Sequence, residues 1–102
     1  MSNDDSKKKD YSQIAAESTL LGNEGGELKS GLWENGVYLG RDGFVYHITA
    51  KVKEGNIKTH VVGKRSVGEY LRWVDGIFRP GQLPSASNAI HYRAARKLRE
   101  II

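Results

Sequence analysis

The sequence predicts an α+β domain in which a three-stranded antiparallel β-meander packs against one or two helices. Three observations predict this fold: strand-like alternation from Phe44 to Lys53, tight-turn residues on both sides of that run, and a helix-capping pattern after it. A chain of 102 residues is the usual size of one domain. We therefore expect a single domain at residues 31–102, with a flexible N-terminal arm at residues 1–30.

The three predicted strands are separated by turn-forming residues. Asn35-Gly36 is typical of a turn and precedes a short strand at Val37–Leu39, and Arg41-Asp42-Gly43 connects that strand to the next. Glu54-Gly55-Asn56 forms the second tight turn before a third strand at Ile57–Val62. In the middle strand every second residue is apolar, which indicates one buried face: Phe44, Tyr46, Ile48, Ala50 and Val52.

Two helices are predicted after the strands. Ser66 and Glu69 have the spacing of a capping box, and Gly76 is a natural end for the helix they begin. A loop at residues 79–84 leads to a second helix, capped by Ser85, Ser87 or Asn88 and with an apolar stripe at Ile90, Ala94, Leu98 and Ile101. The helices are expected to cover the apolar sheet face. The predicted buried set is Val37, Leu39, Tyr46, Ile48, Ala50, Val52, Ile57, Val61, Val67, Leu71, Val74, Ile90, Ala94 and Leu98.

The N-terminal 30 residues differ in composition from the rest of the chain. Residues 1–10 are polar and charged after Met1, and we expect them to be disordered. A weak helical pattern follows near residues 11–21, and residues 22–31 have the glycine content of a linker.

Composition and charge limit the compartments and the partners that the protein can have. Cysteine is absent, which excludes disulfides and thiolate metal sites, and no apolar run approaches the roughly 20 residues of a membrane span. The N-terminus lacks the apolar segment of a secretory signal, so we expect a cytoplasmic protein without a membrane role. Residues 31–102 carry a net charge of +6, against −2 for residues 1–30. This basic charge favours nucleic acid or an acidic protein surface as partner, although a solvated surface explains it equally well.

The residues needed for enzyme chemistry are missing, and we predict a protein without catalytic activity, cofactor or metal. There is no Gly-x-Ser-x-Gly nucleophile motif, and the phosphate-loop pattern before Gly63-Lys64 fails because Lys58 stands where its first glycine belongs. His47 and His60 could face each other across neighbouring strands, but lysines surround them and repel a cation.

The second face of the predicted sheet carries the candidate nucleic-acid contacts. Basic, hydroxyl and aromatic side chains project from it, and an antiparallel ribbon with such groups can enter a DNA major groove. The amide-rich start of the first helix, next to Lys64 and Arg65, is a further candidate contact for phosphate. The complete predicted set is Tyr38, Arg41, His47, Thr49, Lys51, Lys53, Lys58, His60, Lys64 and Arg65.

The segment from Gly36 to Gly76 resembles two families of DNA-binding domains. It reads Gly-Val-Tyr-Leu-Gly-Arg-Asp-Gly-Phe, followed by a strand, a turn, a strand ending Val-Val-Gly and a helix. This order is similar to that of AP2-type domains and of the arm-type N-terminal domains of phage integrases. The resemblance implies DNA binding through the sheet by a small accessory or regulatory protein.

A protein-interaction module is the alternative interpretation. Trp33, Phe44, Trp73 and Phe78 are many large aromatic residues for a short domain, and exposed ones would form a hot spot for a partner protein. Such a protein could be an inhibitor or adaptor from a phage or mobile element that binds a host protein. A continuous Lys/Arg/Thr surface on the open sheet face would favour DNA, whereas an apolar island would favour a protein partner or a homodimer. The sequence leaves the oligomeric state open.

Overall fold

The structure, a computed structural model, describes residues 14–15, 17–29, 31–78, 85 and 88–102. These residues form the strands β1 (Thr19–Lys29), β2 (Leu32–Leu39), β3 (Phe44–Lys53) and β4 (Asn56–Ser66), followed by the helices α1 (Val67–Ile77) and α2 (Ala89–Ile101). The strands make one antiparallel sheet in the order β1-β2-β3-β4. The predicted α+β class with two helices is confirmed, but the sheet has four strands instead of three.

Strand β1 is the strand that the sequence analysis missed. It pairs with β2 from Thr19 opposite Leu39 to Lys29 opposite Leu32, so the interpretation of residues 22–31 as a linker is wrong. Gly22 shows why glycine occurs here: a Cβ at this position would lie 3.0 Å from the carbonyl oxygen of Ile90 and 3.3 Å from the Cβ of Ala94. Glycine therefore lets α2 pack closely on β1.

The segment before β1 is described only in part. Ile14, Ala15 and Glu17 are helical, but the chain is already in β1 at Thr19, so the helix predicted near residues 11–21 does not extend over that range. The prediction of disorder for residues 1–10 lies outside the described residues, as does the loop predicted at residues 79–84.

The two predicted turns next to β3 are present, whereas the Asn35-Gly36 turn is not. Glu54 and Gly55 both have positive φ, at 53° and 79°, which is the mark of a type I′ hairpin turn between β3 and β4. In the β2–β3 turn, the Asp42 carboxylate accepts hydrogen bonds from the Phe44 amide at 3.1 Å and the Tyr46 hydroxyl at 2.5 Å. Asn35 and Gly36 lie inside β2, where they pair with Thr49 and Ile48 of β3.

The sheet has apolar side chains on both faces, and the helices cover the face opposite to the one predicted. On the helix-covered face, Val37 and Val45 pack in one cluster with buried residues of both helices, namely Tyr70, Val74, Ile90, Ala94, Ala95 and Leu98. The other face carries a second cluster of Ala15, Leu32, Tyr38, Tyr46, Ile48 and Ala50. The helices were predicted to cover the face formed by Phe44, Tyr46, Ile48, Ala50 and Val52, and this prediction is therefore wrong.

Most residues of the predicted core are buried, but the one nearest the β3–β4 turn is exposed. Leu39, Ile57, Val61, Val67 and Leu71 are half-buried. Val52 is 59% exposed, because it lies on the part of β3 that extends beyond β2. The fully or nearly fully buried members of the predicted set are Val37, Tyr46, Ile48, Ala50, Val74, Ile90, Ala94 and Leu98.

Helix α1 begins with the capping box that the sequence predicts. The Ser66 side chain accepts from the Glu69 amide at 3.3 Å, and the Glu69 carboxylate accepts from the Ser66 amide at 3.2 Å. Helix α2 begins after Asn88, whose side chain makes no capping hydrogen bond. Neither helix, within the part of the chain described, is long and apolar enough to cross a membrane.

Ser66→Ala is expected to lower the free energy of unfolding by about 1 kcal/mol, because the Glu69 amide loses its hydrogen-bond acceptor. Urea unfolding followed by circular dichroism measures the change. Glu69→Gln keeps an oxygen that can accept from the Ser66 amide and should cost less. Equal or larger loss in the glutamine variant would contradict the assignment of the cap to Ser66.

Candidate nucleic-acid interface

The outer ends of β3 and β4 form a two-stranded ribbon that extends past β2. Pairing between β2 and β3 ends at Asn35 opposite Thr49, whereas pairing between β3 and β4 continues to Lys53 opposite Asn56. The molecule is accordingly elongated, with extents of 52 × 27 × 19 Å. The outer part of the hairpin from Thr49 to His60 is therefore not paired with β2, and its lysines are exposed, whereas Ala50 on its other face is buried.

One face of this hairpin is basic. Thr49 lies opposite His60, Lys51 opposite Lys58, and Lys53 opposite Asn56, and residues directly opposite each other in an antiparallel pair project on the same side. We call these six residues the basic ribbon face. The three lysines and His60 are exposed, and a shallow cavity of about 290 Å³ lies among Thr49, Ala50, Lys51, Lys58, Thr59 and His60.

Among the described residues, the lysines of the basic ribbon face have no acidic partner in ion-pair range. The ion pairs among the described residues are Arg93 with Glu24 at 3.2 Å and Arg99 with Asp75 at 2.7 Å, and in both the arginine lies on α2. Like charges directly opposite each other on neighbouring strands destabilise a sheet, so the Lys51–Lys58 pair weakens the hairpin. A polyanion bound to this face would remove that repulsion.

Five of the ten predicted contact residues lie outside the basic ribbon face, and three of these are Tyr38, Arg41 and Lys64. Tyr38 is fully buried on the face away from the helices, and its hydroxyl accepts from the Trp33 amide at 3.2 Å. Arg41 is in the β2–β3 turn, at the opposite end of β3 from Lys53. Lys64 pairs with Tyr46, and its ammonium lies 4.8 Å from the centre of the Phe44 ring. The sheet register therefore separates these three residues from the basic ribbon face.

His47 lies under the helices and not on an open surface. Its Nε2 donates to Asn35 Oδ1 at 2.6 Å, and its ring packs edge-on against His91 with centroids 4.7 Å apart. Burial lowers the pKa of His47. His47 pairs with Gly63, so it does not face His60 across the strands. No group of three or more His, Cys, Asp or Glu residues in the described segments could hold a metal ion.

His91 is a buried histidine that the sequence analysis did not select. A hydrogen bond of 2.9 Å joins its Nδ1 to the Tyr70 hydroxyl, and its ring lies 4.8 Å from that of Trp73. Burial lowers the pKa of His91 to about 4, so the imidazole is neutral at pH 7. The helical spacing carried a signal, since His91 precedes Ala95 by four residues and Leu98 by seven and thus shares their buried side.

Arg65 occupies the helix-covered face at the inner end of β4. Its guanidinium lies over the Trp73 ring at 4.2 Å, in the arrangement of a cation–π contact. The register places Lys58, His60, Gly63 and Arg65 on the same side of β4. Of the ten predicted contact residues, the structure thus brings together Thr49, Lys51, Lys53, Lys58 and His60, with Arg65 further along the same strand.

Comparison with known proteins finds no counterpart: no family model, curated protein or solved structure matches this chain. The function is therefore argued from the geometry of the chain itself.

Proposed function

We propose that this protein binds DNA without catalysing a reaction, and that the basic ribbon face is its contact surface. The observation that supports the proposal is the register of β3 and β4, which places Lys51, Lys53 and Lys58 on one side of a protruding hairpin. A two-stranded ribbon fits the major groove of B-form DNA, and lysines beside it neutralise phosphates. Thr49 and His60 lie on the inner side of the lysines and Asn56 lies opposite Lys53, and all three are able to hydrogen-bond base edges.

The role that fits this surface is that of a small accessory or regulatory protein. This role is also the one implied by the resemblance of residues 36–76 to AP2-type and integrase arm-type domains. The four-stranded sheet departs from a three-stranded pattern through β1, which lies at the sheet edge opposite β4 and leaves the ribbon free.

Lys51→Ala/Lys58→Ala is expected to reduce binding to a generic DNA duplex and to flatten its dependence on salt. Each lysine that contacts phosphate contributes about one unit to the slope of log K against log salt, so the double variant should lose about two units. Fluorescence anisotropy of a labelled duplex across a salt series measures both affinity and slope. Arg96→Ala/Lys97→Ala removes the same charge from the exposed side of α2 and is the matched control.

Two results would overturn the DNA proposal. One is an absence of wild-type binding at low salt, and the other is an equal loss in the α2 control, which would indicate a general charge effect. A protein partner is the second candidate, favoured by two exposed valines, one on the ribbon and one at the register shift of β4. Val52 is 59% exposed and Val62 is 50% exposed. Val52→Asp should then abolish capture of the partner while leaving the lysines intact.

A further inference from the structure

Arg65 has an unusual environment for an arginine on a sheet. It pairs with Val45 of β3, and its side chain folds back along β4, because its Nη1 lies 3.4 Å from the point that a Cβ on Gly63 would occupy. The guanidinium is stacked on Trp73 at the same time. The guanidinium contacts the Trp73 ring and lies above Gly63, which has no side chain. This arrangement holds the plane of the guanidinium in one orientation.

The guanidinium of Arg65 makes no ion pair with a described residue, although its charge helps to lower the pKa of Glu69. Within the described residues, no carboxylate lies in ion-pair range of its guanidinium and no oxygen accepts from it. Glu69, which starts the next helix, uses its carboxylate in the capping box. Arg65 is half-buried, and a cation without an anionic partner in such a place is unfavourable, so the site suits an external anion.

None of the rings packed beside Arg65 carries a negative charge that would offset its positive charge. The rings of Trp73, His91 and His47 adjoin Arg65, and the His91 ring centre lies 4.8 Å from that of Trp73 and 4.7 Å from that of His47. Burial and the charge of Arg65 lower the pKa of both histidines, so they remain neutral near pH 7. A guanidinium held flat over neutral rings presents its N–H edge to a planar pair of oxygens, as in bidentate binding of phosphate.

Arg65 is also aligned with the basic ribbon face. Lys58 and His60 precede it on the same side of β4, and Arg65 follows Lys58 by seven positions of extended strand, or about 23 Å. Gly63 lies between them without a side chain, which leaves room for the Arg65 guanidinium that folds back over it. A nucleic-acid strand lying along β4 would meet cations at both ends of this path.

We propose that Arg65, stacked on Trp73, is a phosphate anchor that holds the nucleic-acid backbone at the helix end of β4. This inference rests on the proposed DNA binding and adds a second contact point to it. The ribbon lysines contact phosphates near the hairpin tip, and the Arg65–Trp73 unit fixes the backbone close to the body of the domain. The anchor is specific for the fork of arginine, which a lysine ammonium cannot reproduce.

The test uses a duplex of about 16 base pairs and a Trp33→Phe background, in which Trp73 is the remaining tryptophan. We expect DNA to change Trp73 emission in a saturable way. Arg65→Gln should remove that response, weaken binding roughly three- to tenfold at moderate salt and reduce the salt slope by about one. Arg65→Lys should recover the slope but not the full affinity. Arg96→Gln, which removes an exposed arginine of α2, should match wild type.

The outcomes separate this inference from the proposed function. If the Lys51/Lys58 variant loses DNA binding while Arg65→Gln keeps wild-type affinity, salt slope and Trp73 response, the anchor is refuted and DNA binding stands. If wild type does not bind the duplex, both proposals fall. Thermal unfolding of Arg65→Gln accompanies the titration, and Trp73→Phe, which keeps an aromatic ring beneath the guanidinium, should bind nearly as wild type by anisotropy. A large loss in that folded variant would assign the effect to Trp73 and contradict the anchor.

Discussion

Gly36→Ala is expected to lower the free energy of unfolding by about 3 kcal/mol, a large effect for one added methyl group. A Cβ on residue 36 would lie 2.5 Å from Cζ and 2.6 Å from Cε1 of Tyr38. That ring cannot yield easily, because it is fully buried and its hydroxyl accepts from the Trp33 amide. Urea unfolding followed by circular dichroism measures the loss.

Gly63→Ala is the matched control for this effect. Residue 63 is also inside a strand, but an added Cβ would meet Arg65 Nη1 at 3.4 Å and the Cβ of His47 at 3.7 Å, which are ordinary contacts. We expect a change of about 0.5 kcal/mol or less. In addition, Gly36→Ala/Tyr38→Leu should lose less than the sum of the two single variants, because leucine leaves room for the methyl group. Additive losses would show that the clash with Tyr38 is not the cause.

Gly36 also shows why β1 and β2 were harder to predict than β3 and β4. Asn35-Gly36 and the glycines of residues 22–31 look like turn and linker signals, since glycine is common where the chain bends. In the structure, Gly36 makes room for the Tyr38 ring and Gly22 for helix α2. These requirements come from residues in another part of the strand or chain, so a local pattern does not reveal them. The capping box and the type I′ turn depend on neighbouring residues and were predictable.

Only part of the candidate site could be predicted from the sequence, and the missing part also depended on tertiary packing. Alternation along β3 correctly placed Thr49, Lys51 and Lys53 on one face, and the position of the hairpin turn aligned them with Lys58 and His60. The same alternation assigned His47 to an open surface. The helices cover only the inner half of that face, and His47 is under them while Lys51 is not. The point at which a helix stops covering the sheet depends on tertiary packing. The periodicity of the sequence carries no information about it.

Mild acid is expected to destabilise the protein through His91. The pKa of His91 is about 4 in the folded state and near 6.5 in an unfolded chain, so between these values the unfolded state binds more protons. Stability from the neutral imidazole is therefore complete above pH 6.5 and is lost as the pH falls. The free energy of unfolding should decrease by roughly 2 kcal/mol between pH 7 and pH 5. Urea unfolding at several pH values in this interval measures it.

The groups around His91 explain why its protonation is unfavourable and how to isolate it. Tyr70 and Trp73 of α1, His47 of β3 and Arg65 of β4 face the imidazole, and none of them supplies a negative charge. His91→Gln keeps a polar group for the Tyr70 hydroxyl but does not titrate, so most of the dependence on pH should disappear. His60→Gln removes an exposed histidine and should retain the wild-type dependence. Because carboxylates such as Asp42 and Glu69 have lowered pKa values, their protonation belongs to lower pH. A wild-type stability that stays constant from pH 7 to pH 5 would show that the His91 cluster accepts a proton at no cost, contrary to its burial.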